Sequence, residues 1–344
     1  MHENAASYLF NTSSEHCNSF RQNGYLVLSG IVEHSLIDSV RGEIEELLIA
    51  PSEAHRPKDE GFNYKTGRFQ DAWSVCPSVS ALASHSGVQD ALRELYGREP
   101  HPFQTLTFSV GTQQLSHSDH IHFSSRPLGF MCGVWVALED VTLENGPLFY
   151  FPGSHNLPYM GYAELGITNS ALESEEIRYG RYEHQIEALA QAHGFKREVF
   201  LAKKGDVLIW AANLIHGGSP LIDTNSSRWS QVTHYLFEDC LHYTPRFSDE
   251  VNGNFYVRHP IDLSTGTPIP SAQISSIENR NGSQETQIRN QARRDTTEID
   301  IVQLRTRIFA LEDEIHVINN TRAIRYTKRA YVLINLLKSL FRKN

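Results

Sequence analysis

Five short runs rich in β-branched and aromatic residues, FQTLTFSV, GFMCGVWVAL, LFYF, DVLIWAA and WSQVTHYLF, recur between residues 103 and 237. Each is too short for a stable helix and has strand composition. They are separated by ENGP, PGSH, KKGD and HGGSP, in which glycine, proline and asparagine favour turns. Strands that alternate with helices build a parallel sheet. Most of these follow one another through turns, which argues for a mainly β sandwich or jelly roll with flanking helices. The helices are expected on either side of the strands. Ile37, Val40, Ile44, Leu47 and Leu48 recur at helical spacing in SLIDSVRGEIEELLIA, after a turn at Gly30. A charged helical insert of about residues 160–196 separates LFYF from DVLIWAA.

The 344 residues suffice for one large domain or two ordinary ones, and 40% are hydrophobic, enough for a sizeable core. A formal charge of -9 argues against the whole chain being a nucleic-acid binder, because phosphate neutralisation needs a basic surface. Cys17, Cys76, Cys132 and Cys240 lie far apart with no CxxC pair, which excludes a disulfide or structural-zinc scaffold and fits a reducing, cytoplasmic setting. The start, MHENAASYLFNTSS, has no basic and apolar pattern of a signal peptide, and no run reaches the ~18 apolar residues of a membrane span.

Past residue 263 the composition turns polar, so we expect one folded domain over 1–263, a linker over 264–298 and a helical segment over 299–344. Ile301, Leu304, Ile308, Leu311, Ile315 and Ile318 alternate spacings of three and four, a short coiled-coil seam that favours a homo-oligomer through residues 301–318. Residues 322–344 hold seven basic side chains and no acidic one; removing that +7 from the total of -9 leaves -16 for residues 1–321. Leu333, Leu336, Leu337, Leu340 and Phe341 share one helical face, with Lys328, Lys338 and Arg342 on the other. Such a helix lies on an anionic membrane surface, here the inner one, or packs on the body.

The chain has 17 histidines, and they are densest in QQLSHSDHIHF, residues 113–123. On a strand, His117 and Asp119 would emerge on one face. Two histidines and one carboxylate form the facial triad that holds iron(II) with open positions for oxygen chemistry, and His216, before a glycine turn, is the candidate third ligand. Arg228 and Ser230 in SSRWSQVTHYLF would share a strand face. An arginine fork there suits the distal carboxylate of 2-oxoglutarate, whose 2-oxo acid end chelates a metal. Bland readings compete. His120 faces away from the pair; His122, with Phe123, lines a substrate mouth or is a satisfied core polar group. His155 stabilises a turn or supports the site, while Trp135 and Trp210 are ordinary core aromatics or shape the pocket. Two other functions remain open: a zinc hydrolase built on the HxH of His120 and His122, and a metal-free binding or scaffolding protein on the same fold.

The segments QQLSHSDHIHF, GVWVALEDVTLENGPLFYFPGSH, KKGDVLIWAANLIHGGSP and SRWSQVTHY, in that order and preceded by FRQNGYLVLSGIVEHSLIDSVRGEIEEL, resemble the phytanoyl-CoA dioxygenase family of iron(II)/2-oxoglutarate oxygenases over about residues 15–245. The resemblance implies a double-stranded β-helix core of jelly-roll or cupin type. It implies iron(II) held by His117, Asp119 and His216, 2-oxoglutarate anchored by Arg228 with Ser230, and Gln104 facing the cofactor. It further implies hydroxylation of a small-molecule or lipid-type substrate with O2, releasing succinate and CO2; the presence of Asp119 favours hydroxylation over halogenation.

Overall fold

All five anticipated runs form strands. The computed structural model describes residues 14–49, 62–63, 67–167, 173–250 and 253–271, all within the unit Met1–Gln273. Helix α1 (Glu15–Asn23) starts where the Ser14 hydroxyl accepts from Cys17 N and ends at Gly24, whose φ of 81° places it in the left-handed region. Then come strand β1 (Tyr25–Leu28), helix α2 (His34–Ile49), strands β2 (Phe62–Asn63) and β3 (Arg68–Gln70), and helices α3 (Pro77–Ala83) and α4 (Ser86–Tyr96). The rest is β4 (Pro100–Phe108), β5 (Ser124–Arg126), β6 (Met131–Ala137), β7 (Leu148–Tyr150), α5 (Glu175–Ala192), β8 (Glu198–Val199), β9 (Val207–Ala211), β10 (His216–Gly218), β11 (Ser230–Phe237) and β12 (Leu241–Tyr243).

Seven strands form one antiparallel sheet in the order β1-β9-β6-β11-β4-β3-β2. Three more form a second in the order β10-β7-β8, and β12 pairs with β5. The period of two along each strand divides the core. From β6 and β9, Val134, Val136, Val207 and Ile209 turn to the side covered by helices, where Ile37, Val40 and Ile44 of α2 and Val88, Leu92 and Leu95 of α4 are buried. Each of these side chains contributes roughly 1.5–3 kcal/mol of burial. The alternate residues, Trp135, Ala137, Leu208 and Trp210, turn the other way and pack with Leu148 and Tyr150 of the smaller sheet. Strand β11 is buried along its whole length, as its central position in the large sheet requires, and its polar residues Ser230, Gln231, Thr233 and His234 are buried with the rest.

One close approach on this inner side requires glycine. Gly133 of β6 lies opposite Trp210 of β9, and a Cβ added there would sit 2.3 Å from the indole. The missing side chain lets the ring lie across the strand.

The insert's helix, α5, is capped by the Ser174 hydroxyl accepting from Ile177 N, and it buries Tyr182, Ile186 and Ala190 against Ile121, Phe149, Phe151 and Ile215. The four cysteines are buried, and the Cys17 thiol donates to the Glu94 carbonyl at 3.4 Å. Among the described residues no helix is long and apolar enough to cross a membrane.

The body extends further than the expected boundary at residue 263. Ile269 is buried with Phe103, Met131 and Leu236, and its amide donates to the Pro260 carbonyl, while Ser271 bridges to Cys240. An imidazole–carboxylate contact of 2.7 Å between His101 and Asp262 holds this return segment to β4. The expected linker beyond Ser271, the coiled-coil seam and the basic helix lie outside the described residues.

Candidate metal centre

His117, Asp119 and His216 come together, buried, with one donor atom of each within 4.8 Å of the others; it is the one such group among the described residues. The expected route to this arrangement needs correction. His117 and Asp119 do not share the face of a regular strand. His117 sits in an isolated bridge to His216, in which each amide donates to the other's carbonyl at 2.9 Å, and Asp119 begins a single 3-10 turn, Asp119–Ile121. The bridge sets the two imidazoles 4.4 Å apart, and the turn brings the carboxylate round to them. Asp119 Oδ1 lies 3.8 Å from Nε2 of both His117 and His216.

The outer atoms of all three ligands are occupied. Nδ1 of His117 lies 2.9 Å from the Leu115 carbonyl and Nδ1 of His216 lies 3.0 Å from the Leu214 carbonyl. A carbonyl only accepts, so each Nδ1 carries the proton and each Nε2 presents its lone pair inward. Asp119 Oδ2 accepts from the Trp210 indole N–H at 2.6 Å and lies 3.4 Å from His234 Nε2, leaving Oδ1 for a metal. Burial pushes the His117 imidazole down to about 4, and the charge of His216 adds to this, so His117 is neutral near neutral pH. Burial alone would raise the Asp119 carboxyl; His216, His234 and His117 together outweigh it and hold the group far below the usual carboxylate range. Two imidazoles and one carboxylate, all buried, are a donor set suited to iron(II).

Arg228 and Ser230 share a face as expected, with Arg228 Nη1 donating to Ser230 Oγ at 2.7 Å. The guanidinium is buried over Phe108 and Trp135; among the described residues no carboxylate comes within ion-pair distance, and its Nε has no partner. Burial lowers its pKa to about 10. A buried cation with an orphaned donor is costly unless a ligand supplies the anion, and the neighbouring Trp135 indole N–H is likewise unpartnered. The distal carboxylate of 2-oxoglutarate fits this lack.

Gln104 is not beside the triad directly. It pairs in register with His234, and its Oε1 lies 3.1 Å from His234 Nδ1, so it acts through that ring. Sequence reading missed His234, and it had Trp210 as a core aromatic or a pocket wall rather than as the partner of Asp119. For His234 a signal existed: it stands at an even offset from Ser230 on β11, as Arg228 does two positions before that strand. For Trp210 there was none, because nothing local connects β9 to the 3-10 turn.

The other histidines singled out in the sequence, His120, His122 and His155, lie outside the triad. His120 is buried with its ring 4.5 Å from Tyr159, and His122 Nε2 lies 3.0 Å from the Tyr179 hydroxyl; they do not join into a zinc site. His155 Nε2 contacts the Arg21 carbonyl and its ring fills the space beside Gly24, which ties the end of α1 to the body.

The chain is similar to known proteins in sequence and in fold. Residues 20–228 match the family model described as phytanoyl-CoA dioxygenase, more than half of the chain. The phytanoyl-CoA dioxygenase domain-containing protein 1 of Danio rerio is 27% identical over 184 residues, covering 40% of this chain and 63% of that protein. The chain thus spans somewhat less than two thirds of that relative's length. Among solved structures, EctD from S. alaskensis with 2-oxoglutarate and 5-hydroxyectoine superposes with a TM-score of 0.54 at 22% identity, covering 76% of this chain and 88% of that one. The non-heme alpha ketoglutarate dependent carbocyclase SnoK from nogalamycin biosynthesis gives a TM-score of 0.53 at 18% identity, covering 75% and 94%. These two likenesses establish a shared fold. With its family match running over residues 20–228, a span that includes His117, Asp119, His216 and Arg228, the chain belongs to the phytanoyl-CoA dioxygenase family.

Proposed function

We propose that this chain is an iron(II)- and 2-oxoglutarate-dependent dioxygenase that hydroxylates a small-molecule or lipid-type substrate. The observation that carries the proposal is the pairing of a two-histidine, one-carboxylate centre with a buried arginine that has no carboxylate of its own. The bound metal and 2-oxoglutarate would supply oxygen activation, with succinate and CO2 as co-products.

The chain's own residues have defined tasks. His117, Asp119 and His216 hold the ion through three donors and leave its other positions to small ligands. Trp210 and His234 keep Asp119 bound through one oxygen. Arg228 and Ser230 bind the far carboxylate of 2-oxoglutarate. The two facing sheets keep the centre dry, which strengthens each of these electrostatic contacts.

Purified protein should release succinate from 2-oxoglutarate slowly with iron(II) and ascorbate, and faster with the right substrate. Loss of both metal binding and succinate release in Asp119→Ala is the expected result. An Asp119→Ala protein that binds iron and turns over like the parent would overturn the assignment. Self-association through residues 301–318 and membrane contact through 322–344 rest on the sequence pattern alone. Sedimentation of the full chain and of a chain ending at Ser271, with and without anionic vesicles, tests both, and it also tests the cytoplasmic or inner-membrane setting read from composition.

A further inference from the structure

A second concentration of positive charge lies beside the metal centre. The short turn Pro245–Phe247, which carries Arg246, packs against the 3-10 turn that Asp119 begins. Arg258 reaches the same neighbourhood: its guanidinium carbon lies 4.9 Å from the centroid of Phe123, whose ring lies 5.3 Å from that of His234, the partner of Asp119.

Neither arginine has a carboxylate to itself among the described residues. Arg246 Nη1 is 3.7 Å from Glu175 Oε1, but Glu175 already holds Arg178 at 2.7 Å and accepts from the Tyr162 hydroxyl at 2.9 Å. Arg258 donates only to the Thr244 hydroxyl, at 3.1 Å. The nearby acid Asp71 is engaged by the Thr105 amide and the Gln70 side chain, and Glu250 is taken by Arg126 and Tyr243. Both Nε atoms, of Arg246 and of Arg258, are buried and unpartnered. The two charges repel one another, and burial disfavours the Arg258 guanidinium further. Two cations held near each other with spare, water-poor donors form a fork suited to a carboxylate or phosphate. Beside them stand Phe247 and Tyr256, half exposed and edge to face at 5.5 Å, which offer an apolar flank.

We propose that Arg246 and Arg258 form an anion-binding subsite at the entrance to the metal centre, and that the substrate carries a carboxylate or phosphate group attached to an apolar body. The existence of the subsite stands on the arginines; calling its occupant the substrate rests on the oxygenase reading above.

The test uses the full chain loaded with zinc(II) and saturating 2-oxoglutarate, so that Arg228 is already occupied. Benzoate, phenyl phosphate and uncharged benzyl alcohol are titrated and followed by ligand-observed NMR. The expected result is that at least one anionic probe binds about tenfold or more tightly than benzyl alcohol, and the preferred probe distinguishes carboxylate from phosphate. The preference should disappear in the Arg246→Gln, Arg258→Gln double variant and largely persist in Arg258→Lys. Equal binding of benzyl alcohol, or a preference unchanged in the double variant, would overturn the subsite. Binding of metal and of 2-oxoglutarate is measured separately by calorimetry. Failure there, with the arginine-dependent preference intact in the metal-free chain, would remove the oxygenase reading and leave the anion subsite standing.

Discussion

Replacement of Trp210 by phenylalanine isolates one contact that the fold, rather than the local sequence, creates. The indole N–H donates to Asp119 Oδ2 at 2.6 Å in a buried setting, so the variant removes a hydrogen bond to a carboxylate and leaves that oxygen with His234 alone. Bonds of this kind are worth about 1.5–3 kcal/mol. Losing an outer partner of a metal ligand commonly costs ~10–100-fold in metal affinity, which corresponds to about 1.4–2.8 kcal/mol. With Oδ2 released, the carboxylate can rotate away from the line joining Oδ1 to the two imidazoles. Anaerobic titration with iron(II), read by calorimetry, should show the dissociation constant rising by that factor. Gly133→Ala is a second route to the same end, because its new Cβ would lie 2.3 Å from the indole and must displace it while leaving the N–H intact. If both variants remain folded by near-ultraviolet circular dichroism and bind iron(II) within about twofold of the parent, the idea that Trp210 orients Asp119 is wrong.

Further expectations concern charge and pH. Arg228→Met should raise the dissociation constant of 2-oxoglutarate by at least about 30-fold, given ~2–5 kcal/mol for one partner of a buried charge pair. The ligand-free variant should be no less stable than the parent in urea, because it loses an uncompensated buried cation; a large destabilisation would mean that the cation is already paired in the folded chain. Burial holds His117 down at about 4 and His120 and His122 at about 3, all below the unfolded value of about 6.5. Between those values the unfolded chain binds protons that the native chain does not. Metal-free stability should therefore fall as pH drops from about 6.5 toward 4, by up to about 1.4 kcal/mol per pH unit for each histidine. Urea midpoints that stay level between about pH 7 and about pH 5 would count against three neutral buried rings. Finally, Asp262→Ala breaks a buried contact with His101 and should cost about 3 kcal/mol. Limited proteolysis should then cut near residues 263–271 first, and an unchanged cleavage pattern would show that the segment is held by Ile269 instead.

Much of the body was legible because it is written in local chemistry. The uninterrupted apolar runs GVWVAL and VLIWA specify strands with two buried faces, and the spacing of Ile37, Val40 and Ile44 specifies the helix that covers one of them. Arg228 and Ser230 could be paired from their spacing alone, since Arg228 enters β11 in extended spacing two positions before Ser230, and the two side chains meet. The end of the domain was less legible: residues 264–271 look polar, yet one apolar residue, Ile269, and one imidazole–carboxylate contact dock them.

The candidate metal ligands could be picked out of the sequence, because imidazole and carboxylate are the donors such an ion requires and their order resembles the family's. Their geometry does not. His117 and His216 are 99 positions apart in the chain, and they meet through a two-way backbone bridge that no local pattern encodes. Asp119 turns toward them on a 3-10 turn rather than along a strand, and Trp210 reaches it only because Gly133, on the neighbouring strand, has no side chain. Side-chain type is a property of the residue, whereas a lone pair aimed at a common point depends on which backbones lie side by side, and only the packed sheets decide that.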